Sequence, residues 1–520
     1  MMEQKRKKTW LKHRGYLHIT DHIDVNSRRD EILAKVKNTA FVERHAFFPL
    51  IHTNVKLRRY KKAEGSHKRK HSYNGKTHAK LRPLHYATHI DSMIFGYYSE
   101  FLQNLYLTEL ERTAGLAACI TAYRRILHPS RLNTSMNTVH FAHEVFQEVS
   151  SRASQECWVL KFDVDSFFSS MDHRVLKQSW ATLLQKTTLP DDHYNVFKAA
   201  TKFSFILKDD LRIRQSRFKR REGFDEKLLS ENRKQGTNAF FHNPKAFRKR
   251  LAEKTLRIYK NTFRNDEDEM IGIPQGLPIS ATLANIYLLE FDKLMFEEVV
   301  INRKGFYRRY SDDIIVICGS ADKEFLIDFV SKALKEVSKV NASIEKTEQY
   351  FFKLDEASGK PLSHVFRNGS LVKNIPLTYL GFEFYGHKTL IKSANLSKFY
   401  RRMIDSVKSR TKRAVLSAKN NPGLSMAIYK RRLFRLYTNV NLDKKLSNRR
   451  FRTLVPGRYG YSVVQTTSKK KKFASNYFSY VNRAAQDMED DSIRKQIRRH
   501  RTIFNQAIVK HLKKALEKYT

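Results

Sequence analysis

Residues 307–319, YRRYSDDIIVICG, place two adjacent carboxylates at the head of an unbroken apolar run. Ile314, Ile315, Val316 and Ile317 read as a buried strand, and Tyr307 to Tyr310 supply its neighbour. Ser311, Asp312 and Asp313 then fall at the tip of a β-hairpin. Like charges crowded at a tight turn are unfavourable unless a cation neutralises them. For an isolated Asp-Asp pair, an exposed acidic turn is the more ordinary outcome. Neighbouring side chains on a strand point to opposite faces, so the two acids need not serve one cation equally. Asp312 is expected to touch it directly and Asp313 to support it.

Two further segments bear on that choice. In WVLKFDVDSFFSSMDH (158–173), Trp158, Leu160, Phe162 and Val164 alternate with Val159, Lys161, Asp163 and Asp165, the pattern of a strand packed on one face. An isolated buried carboxylate is costly, so Asp163 needs either hydrogen-bond donors or a cation. Asp165 precedes SFFSSM and is expected to cap a turn or helix, not to bind metal. In IPQGLPISATLANIYLLEFD (273–292), Pro274, Gly276 and Pro278 make a rigid turn, and Ser280 opens a helix with Leu283, Ile286 and Leu289. Gln275 and Gly276 would set an amide and bare backbone beside a flat ligand.

Charge narrows the partner. The 520 residues hold 99 Lys and Arg against 52 Asp and Glu, a formal net charge of +47. Such an excess repels itself in a compact state, and a polyanion is the natural counterweight. Nucleic acid leads, because each cation set against a phosphate releases condensed counterions. Three widely spaced cysteines, Cys119, Cys157 and Cys318, make no CxxC pair, which fits a reducing cytosol. No apolar run is long enough for a membrane span, and the basic N-terminus lacks the apolar core of a secretory signal. A cytoplasmic protein without membrane contact is expected.

Along the chain, residues 61–82 form a basic stretch with Gly, Ser and Asn, expected as a phosphate-contacting arm. Its histidines His67, His71 and His78 have no Cys or acidic residue at ligand spacing, so no zinc site is expected there. Apolar spacing predicts a core helix over 89–107, with further helices over 137–151, 172–186 and 321–340. Residues 189–272 read as basic surface structure with helical stretches. Short strands are expected over 348–354 and 377–385, and a Lys/Arg-rich, mostly helical region from Asn395 onward. Its last helix carries an apolar stripe of Ile503, Phe504, Ile508, Leu512 and Leu516, suited to core packing or to a homo-oligomer contact.

Taken in series, the three acidic and Pro-Gln-Gly segments resemble the palm of reverse transcriptases. Asp163 stands at motif A, PQG with Ser280 and Asn285 at motif B, and Tyr-Ser-Asp-Asp at motif C. NASIEKTE (341–348) resembles motif D with Lys346 at the lysine position, although Ser343 stands where many relatives have Asn. YLGFEF (379–384) resembles motif E, the primer grip, with Gly381 at its turn. Residues 80–110 and TAYRRI (121–126) resemble the fingers of bacterial abortive-infection and "unknown group" defence reverse transcriptases.

That resemblance implies an α+β fold: a right-hand polymerase of fingers and palm, with a helical thumb and a helical C-terminal extension. The implied division is a basic N-terminal region (1–79), fingers (80–157), a palm (158–390) with a basic helical insertion near 189–272, and a thumb with RNA-binding extension (391–520). It implies RNA-directed DNA synthesis by two-metal phosphoryl transfer, using two Mg²⁺ ions with Mn²⁺ as a substitute. Asp163 and Asp312 would bridge the ions, Asp313 would complete the charge balance, and the Val164 carbonyl would be a further ligand. Lys80, Arg82, Arg124 and Arg125 would grip the incoming triphosphate, Arg124 foremost, with Gln275 and Gly276 beside it and Lys346 near the leaving pyrophosphate. Phe168 matches the bulky gate that excludes a 2′-hydroxyl, which implies dNTP substrates. Implied partners are an RNA template, a DNA product and a structured noncoding RNA, in antiphage defence. No RNase H, protease or endonuclease signature accompanies the palm motifs, which favours a domesticated enzyme. Rival readings are a template-independent or protein-primed synthesiser of the same family, an inactive RNA-binding scaffold, and an RNA-dependent RNA polymerase, against which Phe168 counts.

Overall fold

A computed structural model describes residues 10–57, 60–62, 69–71, 80–213, 223–343, 347–423, 426–428, 430–438, 446–457, 460–471 and 476–519, with backbone alone at 56–57, 60–62, 69–71, 80, 431 and 446–471. Lys346, His67 and His78, and the side chains of Lys80 and His71, lie outside the described residues.

Helices α1 (Arg29–Lys37) and α2 (Thr39–Arg44) lead into β1 (Leu50–Leu57). After a short hairpin of β2 (Tyr60–Lys62) and β3 (Arg69–His71), β4 (Lys80–Tyr86) returns antiparallel to β1, with Ile51 opposite Tyr86. The helical spacing from His89 becomes α3 (His89–Glu111), whose first turn is capped by the Thr88 hydroxyl accepting from Asp91 N–H. It buries Met93, Ile94, Phe95, Leu102 and Tyr106, as a core helix must. Then come α4 (Leu116–Cys119), α5 (Thr138–Arg152) and β5 (Cys157–Asp163).

Beyond β5, α6 (Phe167–Ser170) and α7 (His173–Leu183) precede α8 (Asp191–Thr201), β6 (Ser204–Leu207), α9 (Glu226–Lys234), α10 (Pro244–Ala252) and β7 (Tyr259–Lys260). Residues 189–272 therefore differ from the surface insertion expected of them. β6 and β7 extend the N-terminal sheet in the order β4-β1-β6-β7, β6 running parallel to β1. Leu229, Phe240, Phe241 and Phe247 bury against Ile51 and Ile206. Apolar residues interspersed among the cations drive that burial, and the expected border at residue 80 disappears because β1 and β4 are neighbours.

The palm continues with α11 (Ser280–Tyr287), α12 (Leu289–Met295), the hairpin of β8 (Phe306–Tyr310) and β9 (Asp313–Cys318), α13 (Lys323–Ser338), β10 (Glu348–Leu354), β11 (Pro361–Arg367) and β12 (Ser370–Lys373). Its sheet is antiparallel throughout, in the order β12-β11-β10-β5-β9-β8. Leu160, Phe162, Ile314 and Val316 join one core with residues of α3, α11 and α13. Val159, Ile315 and Ile317 join another with residues of α5. Burial on both faces explains the unbroken apolar run in β9, and β5, read as packed on one face, is covered on both.

Strands β13 (Leu377–Tyr379), β14 (Phe382–Phe384) and β15 (Thr389–Ile391) form a small sheet over the second core, followed by α14 (Ser393–Asn420) and α15 (Arg431–Tyr437). A twelve-residue antiparallel ladder, β16 (Leu446–Gly457) with β17 (Gly460–Lys471), stands where helix was expected. The β-branched run SVVQTTS (462–468) favours that outcome. Helices α16 (Tyr477–Asp487), α17 (Ser492–Lys495) and α18 (His500–Tyr519) close the chain. Phe504 and Ile508 of α18 pack on Met403 and Val407 of α14, so the C-terminal stripe serves core packing. Among the described residues no helix is long and apolar enough to cross a membrane.

Candidate active site

The register of β5 on β9 sets Asp163 directly opposite Asp313. Opposed residues of an antiparallel pair share a face, with Cβ atoms about 4.5–5.5 Å apart. Tyr310 pairs with Asp313 at the mouth of the hairpin, leaving Ser311 and Asp312 as the turn, with Ser311 at φ +62°. Val164 N–H donates to the Asp312 carbonyl at 3.3 Å, and Ser343 N–H donates to the Asp163 carbonyl at 2.8 Å. The end of β5 is thus clamped between the hairpin turn and residues 341–343. Asp165 is exposed.

Electrostatics ties the three acids together. Burial, Asp312 and Asp163 push the Asp313 carboxyl up to about 6, against the opposing pull of Lys161 and Lys392. Lys161 Nζ lies 3.1 Å from Glu348, and burial holds the Lys392 amine below its usual range, with Lys161 adding to the effect. Sequence reading missed both lysines. Lys161 was legible in principle, two residues before Asp163 on the same face of β5, whereas Lys392 arrives only through the fold. Among the described residues no three acidic, His or Cys side chains already converge as a metal-binding group. The donor chemistry nevertheless fits a hard divalent cation: oxygen ligands only, with a raised carboxyl whose repulsion such an ion would relieve.

The hairpin rests on a buried ion pair. Arg309, fully buried, donates from Nε to Asp292 Oδ1 at 2.7 Å and pairs Nη2 with the other carboxylate oxygen. Its Nη1 donates to the Ser311 carbonyl at 3.1 Å, and Tyr307 Oη donates to Asp292 Oδ1 at 2.6 Å. Asn285 Nδ2 donates to the Ala122 carbonyl at 3.0 Å, and Tyr123 Oη lies 3.0 Å from Ser311 Oγ. The turn that carries Asp312 is therefore gripped by α11, α12 and the 120–124 loop.

The PQG loop sits against β4 and the start of α6. His85 N–H donates to the Gln275 carbonyl at 2.8 Å, and Gly276 has φ +110° with the His85 carbonyl 2.5 Å from where a Cβ would stand. Only glycine accepts that approach. Ile273 N–H donates to the Phe168 carbonyl at 2.7 Å, which brings Phe168 beside the loop. Phe167 is buried and Phe168 partly exposed. Arg82 is exposed on β4 and Arg125 is exposed with Nε 3.2 Å from Ser135 Oγ. Arg124 folds inward, its Nη1 donating to the Ala117 and Ile120 carbonyls, and burial lowers its pKa. Gly381 (φ +96°) and Leu380 (φ +43°) form the two-residue turn of β13 and β14, a geometry that requires two positive φ values.

A family model described as "Reverse transcriptase (RNA-dependent DNA polymerase)" matches residues 224–384. The match takes in Gln275, Gly276, Asp312, Asp313 and Gly381, and begins after Asp163 and Phe168. A reverse transcriptase domain is therefore present, the domain of RNA-directed DNA polymerases, and the α+β fold is reverse-transcriptase-like. No curated protein matches the chain. Among solved structures, apo telomerase from Candida tropicalis, truncated from its C-terminal domain, is 11% identical with a TM-score of 0.36, covering 66% of this chain and 55% of that one. Telomerase from Candida albicans in complex with a TWJ fragment of telomeric RNA is 9% identical with a TM-score of 0.35, covering 74% and 52%. The chain spans about half the length of these telomerases.

Proposed function

We propose that the chain is an RNA-directed DNA polymerase whose two Mg²⁺ ions, replaceable by Mn²⁺, are held by Asp163, Asp312 and Asp313 with the Val164 carbonyl. The observation that carries this reading is the register of Asp163 opposite Asp313, with Asp312 in the adjoining turn. When bound, the ions activate the attacking 3′-oxygen and stabilise the departing pyrophosphate. The 3′-oxygen bonds to the α-phosphorus as the bond to pyrophosphate breaks. Arg309 and Asp292 hold the carboxylate turn rigid, so little reorganisation accompanies the reaction. Gln275 and Gly276 line the nucleotide with Phe168 beneath its sugar. Arg82 and Arg125, both exposed, with Lys80 and Lys346, meet its phosphates, and Arg124 acts from behind them by ordering the 117–124 loop. Gly381 turns the primer-grip hairpin.

The finer proposal is a cytoplasmic enzyme of bacterial antiphage defence working with a structured noncoding RNA. The likeness of residues 80–110 and 121–126 to that group supports it. So does a cavity of about 620 Å³ between α14 and α15 lined by Arg402, Arg410, Arg413 and Arg432, suited to phosphate backbone.

Labelled dNTP incorporation on an RNA template tests the chemistry. Asp312→Asn/Asp313→Asn is expected to lose at least about 10³-fold in rate; activity equal to wild type would sink the mechanism. Phe168→Ala is expected to admit ribonucleotides about tenfold or more readily, and unchanged discrimination removes Phe168 from the sugar contact.

A further inference from the structure

A second cavity lies between α2, α8 and the chain entering β1. The turn at 45–49 is braced from two helices. Asn195 of α8 donates from Nδ2 to the Val42 carbonyl at 2.8 Å and the His45 carbonyl at 2.9 Å. Asp91 of α3 bonds His45 Nε2 at 2.7 Å and accepts from Phe48 N–H at 3.2 Å. Backbone held in this way bounds a preformed space of about 480 Å³, within the size range of small-ligand pockets.

The walls of that space are of two kinds. Phe47 and Phe48, both partly exposed, give it aromatic surface, backed by the buried Phe95 and Phe203, with the Phe47 and Phe95 rings 5.1 Å apart. Arg44, Lys198 and Lys202 stand exposed at its edge against the single carboxylate of Glu43. None of these three cations pairs with a carboxylate among the described residues. A simple anion would gain nothing from the phenyl surface, and an apolar ligand nothing from three cations. A ligand that joins an aromatic ring to phosphate uses both.

We infer that this cavity is a second nucleotide-binding site, taking a nucleobase against the phenylalanines and its phosphate on Arg44, Lys198 and Lys202. The base belongs either to a free nucleotide or to an unpaired position in an RNA strand, which present the same chemistry. The wall also reaches the PQG loop: the Phe203 ring lies 5.1 Å from that of His85, whose N–H donates to Gln275.

The test uses full-length protein carrying Asp312→Asn/Asp313→Asn, without divalent ions, so that binding is read apart from polymerisation. Azido-ATP and a thiouridine-substituted RNA are each photocrosslinked, and adducts are mapped by peptide mass spectrometry. Adducts within 44–50 or 198–204 are expected from at least one probe. Lys198→Glu/Lys202→Glu should weaken that labelling at least about tenfold, and Arg44→Glu, on the opposite wall, should weaken it independently. Azido-ATP labelling removed by excess AMP identifies the free nucleotide. RNA labelling that survives AMP identifies the strand. Adducts confined to other segments with both probes, or labelling indifferent to all three charge reversals, overturn the site.

Discussion

The six-stranded sheet expected as the palm and the layer around the β4-β1-β6-β7 sheet, called here the fingers layer, both bury ionisable groups, but with opposite consequences. In the palm, burial and two neighbouring acids push the Asp313 carboxyl up to about 6. In the fingers, burial pushes the imidazoles of His18 down to about 4 and of His85 and His89 down to about 3, with neighbouring histidines adding to the effect at His85 and His89. The same desolvation disfavours charge in each case. What differs is remedy. The palm groups have partners: Asp292 for Arg309 and, in the proposed function, a divalent cation for the acids. The fingers histidines simply stay neutral, His89 Nε2 and His85 Nδ1 finding no partner among the described residues. The palm groups keep charge by pairing it; these three histidines shed it.

The largest effect should come from unpairing the palm. Burial works against the Arg309 charge, and the Asp292 carboxylate more than restores it, leaving its pKa raised. Arg309→Met leaves the buried Asp292 carboxyl with Tyr307 as its one remaining side-chain donor among the described residues. A loss of about 3–5 kcal/mol in urea unfolding is expected, with most of it recovered in Arg309→Met/Asp292→Leu. The double variant should fold yet polymerise poorly, because the Ser311 carbonyl has lost its grip. A cost under about 1 kcal/mol for the single variant would mean that the buried pair contributes little to holding the hairpin.

How much of this was legible beforehand differs between the same two regions. Period-two alternation in β5, the apolar run of β9 and the turn chemistry around PQG and Gly381 are local signals, and they located the acids, the hairpin and the motif E turn. The fingers layer is built from non-local contacts. β6 joins β1 in parallel across a long stretch of chain, and no local pattern announces such a partner. Residues 189–272 looked like surface because cations dominate their composition, yet Phe240, Phe241 and Phe247 decide their packing. The resemblance implies Arg124 as a triphosphate contact; that its guanidinium turns back onto two carbonyls follows from the loop's fold.

An intermediate effect should separate the regions by acid. A histidine whose folded pKa is depressed leaves the unfolded state holding more protons below about pH 6.5, so stability falls as pH falls through that value and levels off near its folded pKa. His89, lowered to about 3, contributes about 2 kcal/mol of loss between pH 7 and pH 5. His89→Phe keeps a ring to stack on Tyr16, whose centroid is 5.1 Å away, and removes the titration. Its stability, measured by urea unfolding at both pH values, should drop less than wild type by that amount. An equal drop would place the acid sensitivity outside the fingers.

The smallest effect runs the other way. With its carboxyl raised to about 6, folded Asp313 keeps a proton that the unfolded chain has already lost above about pH 4. The Asp313 contribution to stability therefore falls as pH rises from about 4 to 6, and Asp313→Asn lacks that contribution while keeping the opposite one from the histidines. Without divalent ions, the variant should be the more stable protein above pH 6 by about 1–2 kcal/mol, a figure discounted for the solvent that reaches the half-buried site. The two thermal midpoints should converge below about pH 4. If the proposed carboxylate set binds the ion, adding Mg²⁺ should raise the midpoint of wild type and leave the variant, which lacks one member, nearly unmoved. A variant less stable than wild type at neutral pH, with no divalent ion present, would mean that the Asp313 charge is already satisfied within the protein. The palm would then need no metal to settle its charge, just as the buried histidines need no partner to stay neutral.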